Sequence, residues 1–156
     1  MTEKLFYHDS HLKEFEANVV SCNEAGDLFK IVLDQTGFFP EGGGQYADTG
    51  VLGNVNVLDV HEKNDVIYHT TDAPLEAGTM VSGKINWEER FEKMQQHTGE
   101  HIISGLVHER FGYNNVGFHL GSDYCTMDFD GPITKEQLKE IEFAANKAVF
   151  ENVDIQ

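Results

Sequence analysis

The sequence is short of the residues that staple, anchor or neutralise a chain. Its two cysteines, Cys22 and Cys125, cannot make a disulfide framework for 156 residues, so the core has to come from apolar burial. No apolar run approaches the ~18 residues that cross a bilayer. Residues 1–9, MTEKLFYHD, lack the basic-then-apolar layout of a signal peptide. A cytoplasmic protein without membrane contact is the expectation. Basic side chains are the scarcest of all: 11 Lys and Arg stand against 27 Asp and Glu, a net charge of −16. The deficit is general, with 5 basic and 15 acidic residues over 1–88 and 6 and 12 over 89–156. Such a field repels polyanions, because nucleic-acid affinity is built largely on Lys and Arg neutralising phosphates. An RNA partner would have to be met by a local patch or by chain outside these residues.

What is present is apolar material for a core, 40% of the residues with 11 Phe among them, arranged in two patterns. Residues 1–88 read as mostly β. A hairpin is predicted from Phe15–Cys22 and Leu28–Asp34 around Gly26-Asp27. A glycine-rich loop over Thr36–Tyr46 follows, then strands at Val51–His61, Asp65–Thr70 and Met80–Trp87. Short strands with turn signals between them suggest a small barrel. From Trp87 the period changes. Phe91, Met94, Thr98, Ile102 and Leu106 recur at spacings of three and four, a helical stripe that ends near Gly112. Strands Asn115–Gly121 and Tyr124–Asp130 come next, joined through Gly121-Ser122-Asp123. A second helix runs from a Thr134/Gln137 capping box to about Asn152. The expected class is α+β: a barrel domain over 1–88, then over 89–156 the first part of a helix-on-antiparallel-sheet domain. The last residues, Val153-Asp154-Ile155-Gln156, alternate like the opening of another strand, and a longer natural protein is expected.

The chemistry concentrates in Gln95-Gln96-His97-Thr98-Gly99-Glu100-His101. Residues four apart on a helix share a face, so His97 and His101 can chelate a divalent metal, most often zinc. They are expected to border the interior. Gly99, costly inside a helix, hints at close approach by another group. His119, Cys125 and Asp128 are candidate further ligands. Cys125 and Asp128 fall on opposite faces of a regular strand, so both cannot serve; Cys125 as a thiolate is the better of the two, against the plainer reading of a small core residue. The same stretch also fits H-x-x-E-H, the inverted zinc-protease pattern with Glu100 as general base. The plainer reading of Glu100 is a solvated carboxylate beside a ligand.

Gly42-Gly43-Gly44 is the second anomaly. Three glycines are costly in backbone entropy. They suggest a backbone that approaches a ligand or an RNA end closely, or that offers N–H groups to an anion; the plainer reading is a wide flexible turn. No Lys-Ser/Thr follows, so this is not a phosphate-binding Walker loop.

Together these two stretches resemble a family. Thr36-Gly37-Phe38-Phe39-Pro40-Glu41-Gly42-Gly43-Gly44-Gln45 is similar to the glycine-rich motif of the alanyl-tRNA synthetase editing region, in the form closer to the freestanding editing proteins of the AlaX type. Gln96-His97-Thr98-Gly99-Glu100-His101 is similar to its zinc-site H-x-x-x-H. The resemblance implies zinc-dependent hydrolysis, in trans, of tRNA(Ala) mischarged with serine or glycine. It implies contact with the acceptor end of the tRNA and a further C-terminal part for pairing two copies or for binding tRNA. It implies zinc on His97 and His101 and a pocket drawn from Gly42, Gly43, Gly44, Gln45, Thr98, Glu100 and His119. One departure stands out. The family's later C-x-x-x-H does not occur here: Gly26 follows Cys22 and Phe129 follows Cys125 at that spacing. Half of the expected metal site is therefore missing, and weak zinc binding with poor editing is the expectation for these residues alone. A zinc metallopeptidase and a non-catalytic RNA-binding module are the competing expectations.

Overall fold

A computed structural model of the chain describes residues 1–121 and 124–154. The chain divides into two compact units, Met1–Glu92 and Lys93–Gln156.

The first unit holds strands β1 (Glu3–Lys4), β2 (Glu14–Ala25), β3 (Leu28–Leu33), β4 (Gln35–Thr36), β5 (Gly50–Leu52), β6 (Val55–Lys63), β7 (Val66–Thr71) and β8 (Met80–Ile85), with a 3-10 turn at Leu5–Tyr7. The short pair β1 and β4 is parallel. The other six pair in the order β2-β3-β7-β6-β5-β8, and β8 returns to β2 to close a barrel. Alternation along the strands fills it. Phe15, Ala17 and Val19 of β2 and Val55, Val57 and Val60 of β6 are buried, while their neighbours face out. The stretch expected as one strand from Val51 is two, β5 and β6, because Gly53 takes φ +61° and turns the chain.

The alternation of β7 sends a histidine inward. His69 is fully buried between Ile67 and Thr71. Its Nδ1 lies 3.1 Å from the Ile31 carbonyl, which only accepts, so Nδ1 carries the proton. Its Nε2 then accepts from the Thr36 hydroxyl at 2.8 Å, and that hydroxyl oxygen accepts from the Phe38 N–H at 3.1 Å. The relay fixes the start of the glycine-rich loop to the barrel interior. Burial pushes the imidazole from 6.5 down to about 4, against a small opposing effect of the Ile31 carbonyl. The unfolded chain therefore binds this proton in the window from about 6.5 to about 4 and the folded chain does not. His69 contributes fully above that window, and roughly 3 kcal/mol is lost as pH falls through it. Urea midpoints read from Trp87, the single tryptophan, should follow that loss, and His69→Gln should flatten the curve. An unchanged slope in His69→Gln would refute the assignment.

The second unit takes most of α1 (Trp87–Phe111), the antiparallel pair β9 (Asn115–Leu120) and β10 (Cys125–Phe129), and α2 (Lys135–Glu151). The residues Ser122 and Asp123, expected in the turn between these strands, and Ile155 and Gln156, expected to open a further strand, lie outside the described residues. Gly112 takes φ +72° and donates to the His108 carbonyl at 2.8 Å, ending α1 as its sequence suggests. The capping box of α2 is formed in both directions. Ile141 is the buried residue of α2; Leu138, Phe143, Val149 and Phe150 are exposed. An apolar groove of about 710 Å³ runs between α1, β10 and α2, with Ile102, Val107, Phe129 and Ile141 among its walls.

Three strand pairs end in the same device. Asn18 lies within β2, Asn56 within β6 and Asn114 just before β9, each next to the first rung of its pair, and each faces an Asp 16 residues on: Asp34, Asp72 and Asp130. The backbone N–H reaches one carboxylate oxygen at 2.8–2.9 Å and the side-chain amide reaches the other at 2.6–2.9 Å. The Asn side-chain bond holds all three Asp carboxyls below the ordinary carboxylate range. What they add is present above that range and is lost as pH falls below it.

Candidate functional site

The cluster on α1 arises from helical spacing. His97, Glu100 and His101 occupy positions i, i+3 and i+4, and their ligand atoms lie within 4.8 Å of one another. The imidazoles stack at 4.9 Å with 22° between planes. Each is held differently. His97 is half-buried and lies 6.1 Å from the Phe118 ring at 25°. The His101 side chain is 73% exposed, with Nδ1 3.5 Å from Glu100 Oε2.

Glu100 is not the solvated carboxylate of the plainer reading. It is buried, with 8% of its surface exposed. Its Oε1 accepts from the Ser104 hydroxyl and from Asn115 Nδ2, the latter at 2.7 Å. Asn115 Nδ2 also donates to Ser104 Oγ at 3.0 Å, while Asn115 Oδ1 accepts the Gly117 N–H at 2.9 Å. Neither Ser104 nor Asn115 was legible as a site residue. The usable signal was the i, i+4 spacing of Glu100 and Ser104. The packed face of α1 is also turned from the expected stripe: Arg90, Glu100 and Val107 are its buried residues, and Phe91 is 40% exposed. Gly99 has open space where a Cβ would stand. Among the described residues no group makes the close approach that Gly99 was expected to mark.

Cys125 stands outside the His97–Glu100–His101 group among the described residues; its thiol donates to Gln96 Oε1 at 3.6 Å. His119 is exposed on β9, opposite Thr126. Thr98 is half-buried on α1.

In the first unit the triple glycine has a local cause. Gly42 and Gln45 pair as an antiparallel bridge, N–H to carbonyl in both directions at 3.0–3.1 Å. Gly43 and Gly44 between them take φ +60° and +81°. Two successive positive φ values define the tight hairpin turn that glycine adopts at least cost. The turn is therefore tight rather than wide, and its geometry alone demands two of the three glycines. Gln45 is buried. The neck of the loop is gripped by Arg90, itself buried. Its Nη1 donates to the Gly37 carbonyl at 2.8 Å and to Asp48 Oδ2 at 3.1 Å. Asp48 Oδ2 also accepts the Phe39 N–H at 2.8 Å, and the Asp48 N–H returns to the Phe39 carbonyl at 2.9 Å. Burial pulls the Arg90 guanidinium below its ordinary pKa, and Asp48 opposes the shift. Arg90 was missed because an arginine in a first helical turn reads as surface.

The donor set suits a metal. Two imidazoles on one helix face form a nitrogen pair that zinc takes, with the buried Glu100 carboxylate beside them.

Comparison with known proteins adds an independent line. The model of the family described as tRNA synthetases class II (A) matches residues 2–89. The chain is 37% identical to an alanine–tRNA ligase of Ignicoccus hospitalis, over 99% of the chain and 18% of the ligase. It is 34% identical to the alanyl-tRNA editing protein Aarsd1 of Rattus norvegicus, over 97% of the chain and 40% of that protein. It is 34% identical to the alanyl-tRNA editing protein AlaX-L of Pyrococcus horikoshii, over 99% and 40%. The chain thus spans between 18% and 40% of the length of these curated relatives.

Proposed function

Because this chain belongs to the alanyl-tRNA synthetase family of class II tRNA synthetases, we propose that it carries part of a cytoplasmic editing site that hydrolyses tRNA(Ala) mischarged with serine or glycine. The observation that carries the reading is the convergence of His97, Glu100 and His101 on one face of α1. The names of the editing relatives support alanyl-tRNA editing.

On this reading His97 and His101 hold a zinc ion. When bound, the metal supplies a Lewis-acid centre that orients the substrate amine or a water. The protein's own residues do the rest. Phe118 keeps the plane of His97 fixed by stacking. The Gly42–Gln45 turn presents a backbone without side-chain bulk at Gly43 and Gly44 to the terminal adenosine of the acceptor end. Thr98 and His119 of the second unit are the polar groups assigned to the aminoacyl moiety, and Gln45 is assigned with its turn to the acceptor end. A site that hydrogen-bonds a substrate hydroxyl rejects the analogue lacking it by about 10⁴-fold, which would spare alanine while admitting serine. The peptidase reading is weaker, because a general base has to reach an open metal face and Glu100 Oε1 is occupied by two donors.

The test is deacylation of Ser-, Gly- and Ala-tRNA(Ala) by the zinc-loaded protein. Release of serine or glycine well ahead of alanine is expected. Equal rates for all three would end this reading.

A further inference from the structure

We propose that Glu100 is the positioning carboxylate of His101: anchored at Oε1 by Ser104 and Asn115, it takes the Nδ1 proton of His101 on Oε2 and leaves the Nε2 lone pair for a metal. The inference rests on His101 as a metal ligand, and it assigns Glu100 to neither ligand nor general base.

The hydrogen-bond inventory leaves little freedom. The Gly117 N–H can only donate, so the oxygen of the Asn115 amide faces it and the NH₂ faces Glu100 and Ser104. Both of these amide protons are used. The Ser104 oxygen receives one of them, so its own proton goes to Glu100 Oε1. Glu100 Oε1 thus takes two donors. Oε2 is 3.5 Å from His101 Nδ1, a contact long enough to tighten once a metal draws the ring. A carboxylate on Nδ1 fixes the tautomer of a histidine and raises the basicity of its other nitrogen, which is how such partners tune metal ligands. His101 is the exposed ring of the pair, free to swing, and it is the one that receives this brace. His97 has Phe118 against it instead.

A one-atom change tests the idea. In Glu100→Gln the single amide oxygen has to stay where Ser104 and Asn115 donate. The new NH₂ then occupies the Oε2 position and donates to His101 Nδ1. The histidine proton moves to Nε2, onto the lone pair a metal would use. Nitrogen NMR of the metal-free protein at mildly alkaline pH reads this directly. His101 is expected as the Nδ1–H tautomer in the unaltered protein and as the Nε2–H tautomer in Glu100→Gln. Ser104→Ala, which removes one donor and disturbs the fold less, should give an intermediate mixture. Zinc affinity, by competition with a chelating dye, should fall by about 10- to 100-fold in Glu100→Gln, with the same stoichiometry at saturation. Nε2–H in both proteins would overturn the proposal, as would an unchanged tautomer and affinity in Glu100→Gln. Loss of saturable zinc in Glu100→Gln would overturn it in favour of Glu100 as a ligand. Failure of the unaltered protein to bind zinc would count against the metal site and leave the tautomer result standing.

Discussion

Changing His97 and His101 together to alanine should lower Ser-tRNA(Ala) deacylation at least about 100-fold, with the melting of the protein nearly unchanged. The size follows from the roles proposed for the two rings. Outer partners of metal ligands are worth about 10- to 100-fold each, and the ligands themselves are worth more. Stability should hold because neither ring is in the core: His97 is half-buried and His101 is mostly exposed, and surface changes usually stay within about 0.5 kcal/mol. Each single variant should bind zinc more weakly than the unaltered protein in competition with a chelating dye, since one imidazole on a helix is a weak site. Full activity in the double variant would remove the metal from the reaction and leave the cluster without the role assigned to it.

Arg90→Met should destabilise the first unit by about 3–5 kcal/mol, the usual result of removing one partner of a buried ion pair. The cause lies at Asp48. Its side chain is fully buried, and without the guanidinium a carboxylate would sit in the interior facing the Phe39 N–H. Gly37 would lose the donor on its carbonyl at the same time. For a unit of about 90 residues each kcal/mol moves the melting temperature by roughly 4–8 °C, so the shift is large, and Trp87 fluorescence reports it from the same unit. Adding Asp48→Asn should recover part of the loss, because a neutral amide keeps an acceptor for the Phe39 N–H without a charge in the interior. A cost below about 1 kcal/mol for Arg90→Met would mean that the pair is worth no more than a surface one.

The sequence made the helix that carries the histidines legible, because the 3.6 period, the acidic first turn and Gly112 all agree. It also disclosed the strand alternation, the capping box of α2 and the convergence of His97 with His101. Three things stayed hidden for physical reasons. The phase of the buried face of α1 depends on what the helix packs against, and a polar stripe through Glu100 and Ser104 is invisible to a count of apolar spacings. The reason for Gly43 and Gly44 is a pair of backbone angles, and the same letters serve a ligand cradle or a hairpin. His69 and Arg90 are buried through partners 33 and 42 residues away, a distance that no local window spans. The barrel also sets which side of β7 faces inward, and so makes a core residue of a histidine that would read as surface in isolation.

The Asn–Asp pairs bear on how the chain opens. A strand pair frays from its open end, where the last rungs have solvent on one side and nothing beyond them. At Asn18, Asn56 and Asn114 that end is shut by two bonds onto a carboxylate. Fraying there requires a double break, whereas the turn ends of the β2–β3 and β6–β7 hairpins open one rung at a time. Amide hydrogens at these three asparagines should exchange more slowly than their position at a ladder's edge implies. In β2–β3 and β6–β7, exchange should advance from the turns toward the latches, the reverse of the order in an unlatched hairpin.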